Sequence, residues 1–182
     1  MIDVIERAGT TKGTCYYYFP TRESLAAAVI EHARLRCAEA VAEIWQSEGP
    51  VLRKLIAATF CFASLTESDD LVRVGYQLSQ AGRQISEAGA RAYLGTAEKV
   101  AAALRIAKDD GVLLVSAGVT EVANTLVAGV AGSRLYADAD GGDCFDRLTQ
   151  VWHVVLRGIV AEEDFTVLSR YIRRTARAYR NR

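Results

Sequence analysis

The sequence predicts an all-α chain. Apolar residues recur at helical rather than alternating spacing almost throughout, only Pro20 and Pro50 interrupt 182 residues, and the breaks between periodic segments are short polar or glycine-containing runs. Taken in order, Met1 to Ala8 reads as a short helix closed by Gly9, which tolerates the left-handed conformation that ends helices. A second short helix fits Thr11 to Tyr18. Pro20 stops it, and Thr21 caps the next by accepting from an early backbone N–H. That third helix runs through Trp45 to about Glu48, where Gly49 and Pro50 break it. At about 1.5 Å per residue it is a connector of roughly 40 Å, with Leu25, Ala28, Val29, His32 and Leu35 on one face. Further helices are expected at Val51 to Leu65, Asp70 to Arg83, Ser86 to Ala107, Ser116 to Ala137, Asp143 to Val160 and Glu163 to Tyr179. Thr66-Glu-Ser, Asp109-Asp-Gly and Ala139-Asp-Gly-Gly punctuate them.

Charge sets few constraints globally and some locally. Lys plus Arg and Asp plus Glu both number 22, so no net field draws the chain toward nucleic acid or a membrane. Lys108 to Asp146 holds two basic and seven acidic residues, whereas Arg170 to Arg182 holds six arginines and no acid. The longest apolar passage, Val112 to Ser133, carries Glu121 and Asn124 and reads as a buried helix, not a membrane span. Cys15, Cys37, Cys61 and Cys144 lie far apart, and the start has no secretory pattern; reduced, cytoplasmic thiols are expected. No linker separates two bodies, and no internal repeat is apparent.

The stretch "AGTTKGTCYYYFPTRESL" (8–25) concentrates the chemistry. A glycine that ends one short helix, followed within a few residues by a threonine that begins another, is the helix-turn-helix arrangement whose second member lies in a DNA major groove. At that helix's start, Thr11, Lys12 and Thr14 offer two hydroxyls and an ammonium for phosphates or base edges, and Gly13 lets the backbone approach closely. Tyrosine joins an apolar ring to a hydroxyl that bonds phosphate, so Tyr16, Tyr17 and Tyr18 suit a surface half packed on protein and half on DNA. Phe19, without a hydroxyl, reads as core.

"IERAGTTKGTCYYYFPTRESLAAAVI" resembles the signature of TetR-family transcription regulators, an A-G-V-[ST]-K-G-T-L-Y-Y-H-F-x-[ST]-K-E-x-L pattern across the recognition helix and the start of the connector. The likeness covers residues 4 to 30, with Cys15 in place of the usual leucine and Arg22 in place of the usual lysine. It implies that Thr11, Lys12, Thr14 and Tyr16 touch bases or nearby phosphates while Tyr17, Tyr18 and Arg22 hold the backbone. It implies a DNA-binding head over 1–36 and a ligand-binding and dimerisation body over 37–182. Family members carry a further helix before the residue aligned with Met1, which braces the head. Without it, Ile2, Ile5, Val29 and Phe19 are expected to lie uncovered, so either Met1 is internal to a longer reading frame or the head is incomplete.

Three later stretches are similar to the γ-butyrolactone receptors that govern antibiotic production in actinomycetes: "LVRVGYQLSQAG" (71–82), "ANTLVAGVAGSRLYADADGG" (123–142) and "LTQVWHVVLRGIV" (148–160). Gly129, Ala131, Gly132 and Ser133 give one helix a small-residue surface, and Val151, Val154, Val155 and Ile159 give the next an apolar stripe. The same pattern fits packing inside one subunit; the resemblance favours a four-helix homodimer interface, which paired half-sites also require. Phe60, Phe62, Tyr76, Gln80, Tyr93, Thr125 and Trp152 are the candidates for a mainly apolar effector pocket with a few polar groups. A lactone carbonyl or hydroxyl would partner the polar ends of Tyr76, Gln80 and Thr125. The receptors' pocket tryptophan has no counterpart in Ser86 to Thr96, so the implied effector class widens from γ-butyrolactones to furans and butenolides.

Enzyme chemistry lacks support. No G-x-S-x-G, G-x-x-x-x-G-K-[ST] or G-x-G-x-x-G occurs, which leaves hydrolase elbows, P-loops and dinucleotide fingerprints without a basis and implies no cofactor. His32 and His153 have no second metal ligand at helical spacing; His153 reads as a helix-interface residue. Arg170, Arg173, Arg174 and Arg177 form a basic stripe whose ordinary meaning is a solvated face. The sequence therefore predicts a ligand-responsive transcriptional repressor that binds double-stranded operator DNA as a homodimer. The alternatives are a DNA-incompetent form acting as signal sink or heterodimer partner, and a small helical enzyme on lactone-like substrates.

Overall fold

The computed structural model describes residues 2–80, 82–114, 116 and 118–181. Among them the chain is all-α: α1 (Ile2–Arg7), α2 (Lys12–Tyr18), α3 (Arg22–Gln46), α4 (Val51–Ser68), α5 (Asp70–Gln80), α6 (Gly82–Asp109), α7 (Val119–Asp140), α8 (Cys144–Ile159) and α9 (Glu162–Arg180). Met1 of the expected first helix, and Val115 and Ala117 of the expected apolar helix, lie outside the described residues.

The local signals read in the sequence set most of the boundaries. Gly9 stands at φ 60°, the left-handed conformation that lets the chain turn out of α1. Thr21 caps α3 reciprocally with Ser24: the Ser24 backbone N–H donates to Thr21 Oγ1 at 3.0 Å, and the Thr21 N–H to Ser24 Oγ at 3.2 Å. Asp143 caps α8, its side chain accepting from the Asp146 N–H at 2.9 Å.

Two expectations are corrected. The helix expected from Ser116, within an apolar passage reaching back to Val112, begins only at Val119. Ahead of it the Leu114 N–H donates to Ile159 O at 2.8 Å, which pins this segment across the end of α8, and Leu113 is buried in the core. A cross-chain hydrogen bond and a side-chain anchor there override the apolar periodicity. The second correction concerns the face of α3. Ala26, Ile30 and Ala33 are buried, while His32 and Leu35 lie on the exposed side. The reason is α5, which runs along α3. Gly75 faces Ala33, and a methyl group added at Gly75 would overlap the Ala33 Cβ and lie 3.3 Å from the Val29 carbonyl. Small residues at the crossing select this seam over the one richer in large side chains.

The body gathers around α4, which packs on α3, α5, α6, α8 and α9. Its core side chains include Leu52, Ile56 and Phe60, with Leu104 from α6, Leu126 from α7, Leu148, Trp152 and Leu156 from α8, and Ile172 from α9. Phe60 stacks on Phe145, ring centroids 6.3 Å apart. The Trp152 indole N–H donates to Thr59 Oγ1 at 2.9 Å, so the largest buried ring has its polar atom satisfied. Arg180, near the end of α9, reaches Asp143 at 2.9 Å and Asp146 at 2.6 Å on the first turn of α8, so the basic tail is partly folded back on the body. The cysteines form no disulfide, and burial pushes the thiols of Cys37 and Cys144 up to about 11. Among the described residues, no helix is long and apolar enough to cross a membrane.

The α3–α5 crossing makes a paired prediction. Gly75→Ala is expected to destabilise the chain by about 1–3 kcal/mol through overpacking. Gly95→Ala, in the interior of α6 with open space around it, is expected to stabilise it by about 0.5–1 kcal/mol. Urea unfolding of both variants checks the opposite signs.

Candidate functional site

The head is built from α1, α2 and the first turns of α3. Thr11 caps α2, its hydroxyl accepting from the Thr14 N–H at 3.1 Å and lying 2.9 Å from the Thr14 hydroxyl. The two hydroxyls are therefore placed side by side at the exposed start of α2, flanking Lys12 and Gly13. Cys15 turns inward and is buried, as is Ile5 of α1, while Phe19 is half-buried. Tyr16, Tyr17 and Tyr18 are all exposed, Tyr17 by 80%, and the Tyr17 and Tyr18 rings meet edge to face at 5.1 Å. That contact props two large rings outward, with their hydroxyls in solvent. Arg22 is exposed at the start of α3. Among the described residues neither Lys12 nor Arg22 is engaged by a carboxylate. All eight residues expected to meet DNA thus share one accessible region.

The outer side of α1 carries Ile2, 67% exposed, and Val4, also exposed. Of the four residues expected to be uncovered without a bracing helix, only Ile2 is: Ile5 is buried, and Val29 and Phe19 are half-buried against their own chain.

In the body, four of the seven pocket candidates come together. Phe62 of α4 and Tyr76 of α5 meet edge to face, centroids 5.7 Å apart. Gln80 bonds the Tyr76 side chain, and Tyr93 of α6 lies near enough to act on it electrostatically. The Tyr76 hydroxyl donates to the Ala131 carbonyl of α7 at 2.7 Å, so its partner is backbone in place of the lactone oxygen expected from the sequence. Burial, above all, raises the Tyr76 phenol well beyond its ordinary range, which keeps it a donor. The other three candidates lie elsewhere. Phe60 and Trp152 are wholly buried packing residues, and Thr125 is exposed on α7.

The residues expected at a dimer interface also divide. Gly129 of α7 receives Val151 of α8 within the chain; a methyl group at Gly129 would stand 2.7 Å from Val151 Cγ1. Ser133 is buried and donates to the Gly129 carbonyl at 2.7 Å, and Ile159 faces the core. Gly132 and Val155 are half-buried, and Val154 is 73% exposed. The α7–α8 pair is thus closed by glycine and valine inside one subunit, and Val154 is the part of the stripe that it leaves open.

Sequence reasoning missed Thr59 and Phe145, which hold Trp152 and Phe60, because both partnerships join residues more than eighty positions apart. It also missed a basic cleft between α8 and α9, although it noted the arginines and His153 separately.

Residues 1–29 match the family model for bacterial regulatory proteins of the tetR family. The match covers α1, α2 and the first turns of α3. The A-factor receptor protein of Streptomyces griseus is 23% identical to this chain over 159 residues, 86% of the chain and 55% of that protein. The chain therefore spans about half the length of that curated relative. A crystal structure of a γ-butyrolactone receptor, described as ArpA-like, superposes with a TM-score of 0.80 at 24% identity over 98% of this chain and 86% of that one. CprB of Streptomyces coelicolor, in complex with its biological operator sequence, gives 0.77 at 26% identity over 99% and 86%. The fold of the chain is that of these two solved structures.

Removing the Tyr76 hydroxyl tests its structural share. Tyr76→Phe is expected to cost about 1 kcal/mol in a urea titration, the ordinary worth of one buried hydrogen bond. An unchanged midpoint would show that the α5–α7 link carries no stability.

Proposed function

We propose that this chain is a ligand-responsive transcriptional regulator that represses by occupying an operator as a homodimer and leaves it when a small diffusible signal enters the body. The head over 1–36 is the DNA-binding unit and the remainder is the effector and dimerisation unit. The signal is of γ-butyrolactone, furan or butenolide type. The work is done in the cytoplasm, where operator DNA is.

One observation carries the reading. Gly75 and Tyr76 are neighbours on α5: the first is locked against Ala33 of the connector, and the second is bonded to Ala131 of α7 beside Phe62 and Gln80. An effector that takes the Tyr76 hydroxyl from the Ala131 carbonyl releases α5 from α7. Because α5 and α3 are in contact without a side chain to cushion them, α3 moves with it, and α3 carries the head on its first turns. The effector favours whichever conformation frees Tyr76, and the operator favours whichever holds the two heads at successive major grooves. Each ligand thereby weakens the other. Lys12, Arg22 and the exposed tyrosines supply phosphate contacts, and Thr11 and Thr14 supply groups for base edges.

Fluorescence anisotropy of DNA flanking the chain's own gene, at fixed salt and with or without a γ-butyrolactone extract, tests this. Saturable binding relieved by the extract is expected. Lys12→Ala should weaken binding across sequences and lower the salt slope by about 1, and Tyr17→Phe should weaken it several-fold at every sequence. Binding that does not respond to salt or to Lys12 would remove the head from the interface.

A further inference from the structure

Between α8 and α9 lies a cleft of about 300 Å³. Its walls come from helical spacing: His153 and Arg157 are one turn apart on α8, and Thr166, Ser169, Arg170 and Arg173 share a face of α9. Three arginines, a histidine, a threonine and a serine therefore line one small space with Phe165, and no aspartate or glutamate does. Among the described residues, Arg157, Arg170 and Arg173 form no ion pair, unlike Arg180 on the same helix, which is held by two aspartates. Arg157 is fixed over the Phe165 ring at 4.5 Å, which orients its planar fork without neutralising it. The His153 ring bonds the Ser169 backbone, yet its Nε2 is buried with no hydrogen-bond partner. Arg157, Arg170 and Arg173 are exposed, so an oxyanion entering the cleft can meet all three guanidinium groups.

We propose that the α8–α9 cleft is a binding site for a small multiply charged oxyanion, a phosphoryl or dicarboxylate group, held by Arg157, Arg170 and Arg173 beside the His153 ring. Arginine suits this because its donors form a rigid fork that meets two oxygens at once. Thr166 and Ser169 line the same wall, the Thr166 hydroxyl donating to the Glu162 carbonyl at 3.3 Å. The site is separate from the head and from the Tyr76 group: α9 packs on α4 and α8. It does not depend on the regulator reading.

His153 supplies a readout of its own. In the unliganded chain its pKa is lowered by burial first, then by Arg173 and Arg157. These are the charged groups facing it, from α9 and α8, together with Arg170 on the cleft wall. An anion among them reverses the balance and favours the imidazolium, so binding takes up a proton and weakens as pH rises through the pKa of the liganded form.

Calorimetric titration of the full chain with inorganic pyrophosphate and, separately, with succinate tests the proposal. Saturable binding of at least one probe is expected, and the arm that responds assigns the group as phosphoryl or carboxylate. Arg173→Ala and Arg157→Ala should each weaken it at least tenfold, while Arg174→Ala, which stacks on Tyr171 outside the cleft, should leave it within about twofold. Circular dichroism melting identifies any variant that fails to fold, and Arg170→Lys, retaining the charge, should bind more weakly than the parent but measurably. The histidine ring proton signals, assigned by His32→Gln, should show His153 titrating at higher pH with the probe bound. No saturable heat with either probe, binding indifferent to Arg157 and Arg173, or a His153 titration unaffected by saturating probe would each overturn the proposal.

Discussion

The crossing of α3 and α5 at Ala33 and Gly75 is the constraint on which the rest of the arrangement depends. Two helix backbones approach closely there because neither residue has a side chain beyond Cβ. The consequence is that the buried stripe of α3 is Ala26, Ile30 and Ala33. A larger residue at either position would open this crossing, and the next residue on α5 is the tyrosine that reaches α7. Connector, α5 and α7 are therefore joined in series through two adjacent residues. A long helix of 25 residues anchored this way transmits displacement; one held only by flexible side chains would absorb it.

Much of this was legible in the sequence, and the parts that were not share a cause. Helix existence and most ends follow from local chemistry: Pro20 with Thr21, Gly49 with Pro50, and the Gly141-Gly142 turn are read within a few residues. The head was legible for the same reason, since its candidate residues are contiguous from Thr11 to Arg22 and the exposed side of a short helix follows from periodicity. Facing was harder. The stripe of α3 was displaced because the partner helix decides which stripe is buried, and α5 chose it through a glycine, a residue with no hydropathic signal of its own. Val112 to Leu114 reads as helix because it is apolar, but the hydrogen bond from the Leu114 N–H to the Ile159 carbonyl decides its course.

The body candidates divide along the same line. Tyr76, Gln80, Phe62 and Tyr93 converge because three helices meet there, whereas Phe60 and Trp152 belong to the shared core. An aromatic residue on a buried helix face looks identical in sequence whether it lines a space or fills one. The distinction rests on partners such as Thr59 and Phe145, which lie far along the chain. Likewise, His153 and the arginines of α9 form a cleft only because α8 and α9 turn those faces toward each other.

The two tryptophans end up in opposite surroundings. Trp152 is sealed in the body with its N–H on Thr59, while Trp45 sits, partly exposed, at the far end of the connector beside the chain that enters α4. The molecule thus carries two native fluorophores, one emitting from a dry core and one from water. A soluble quencher reaches the second and spares the first, so loosening of the core and movement at the connector's end can be followed as separate optical signals in the same unlabelled sample.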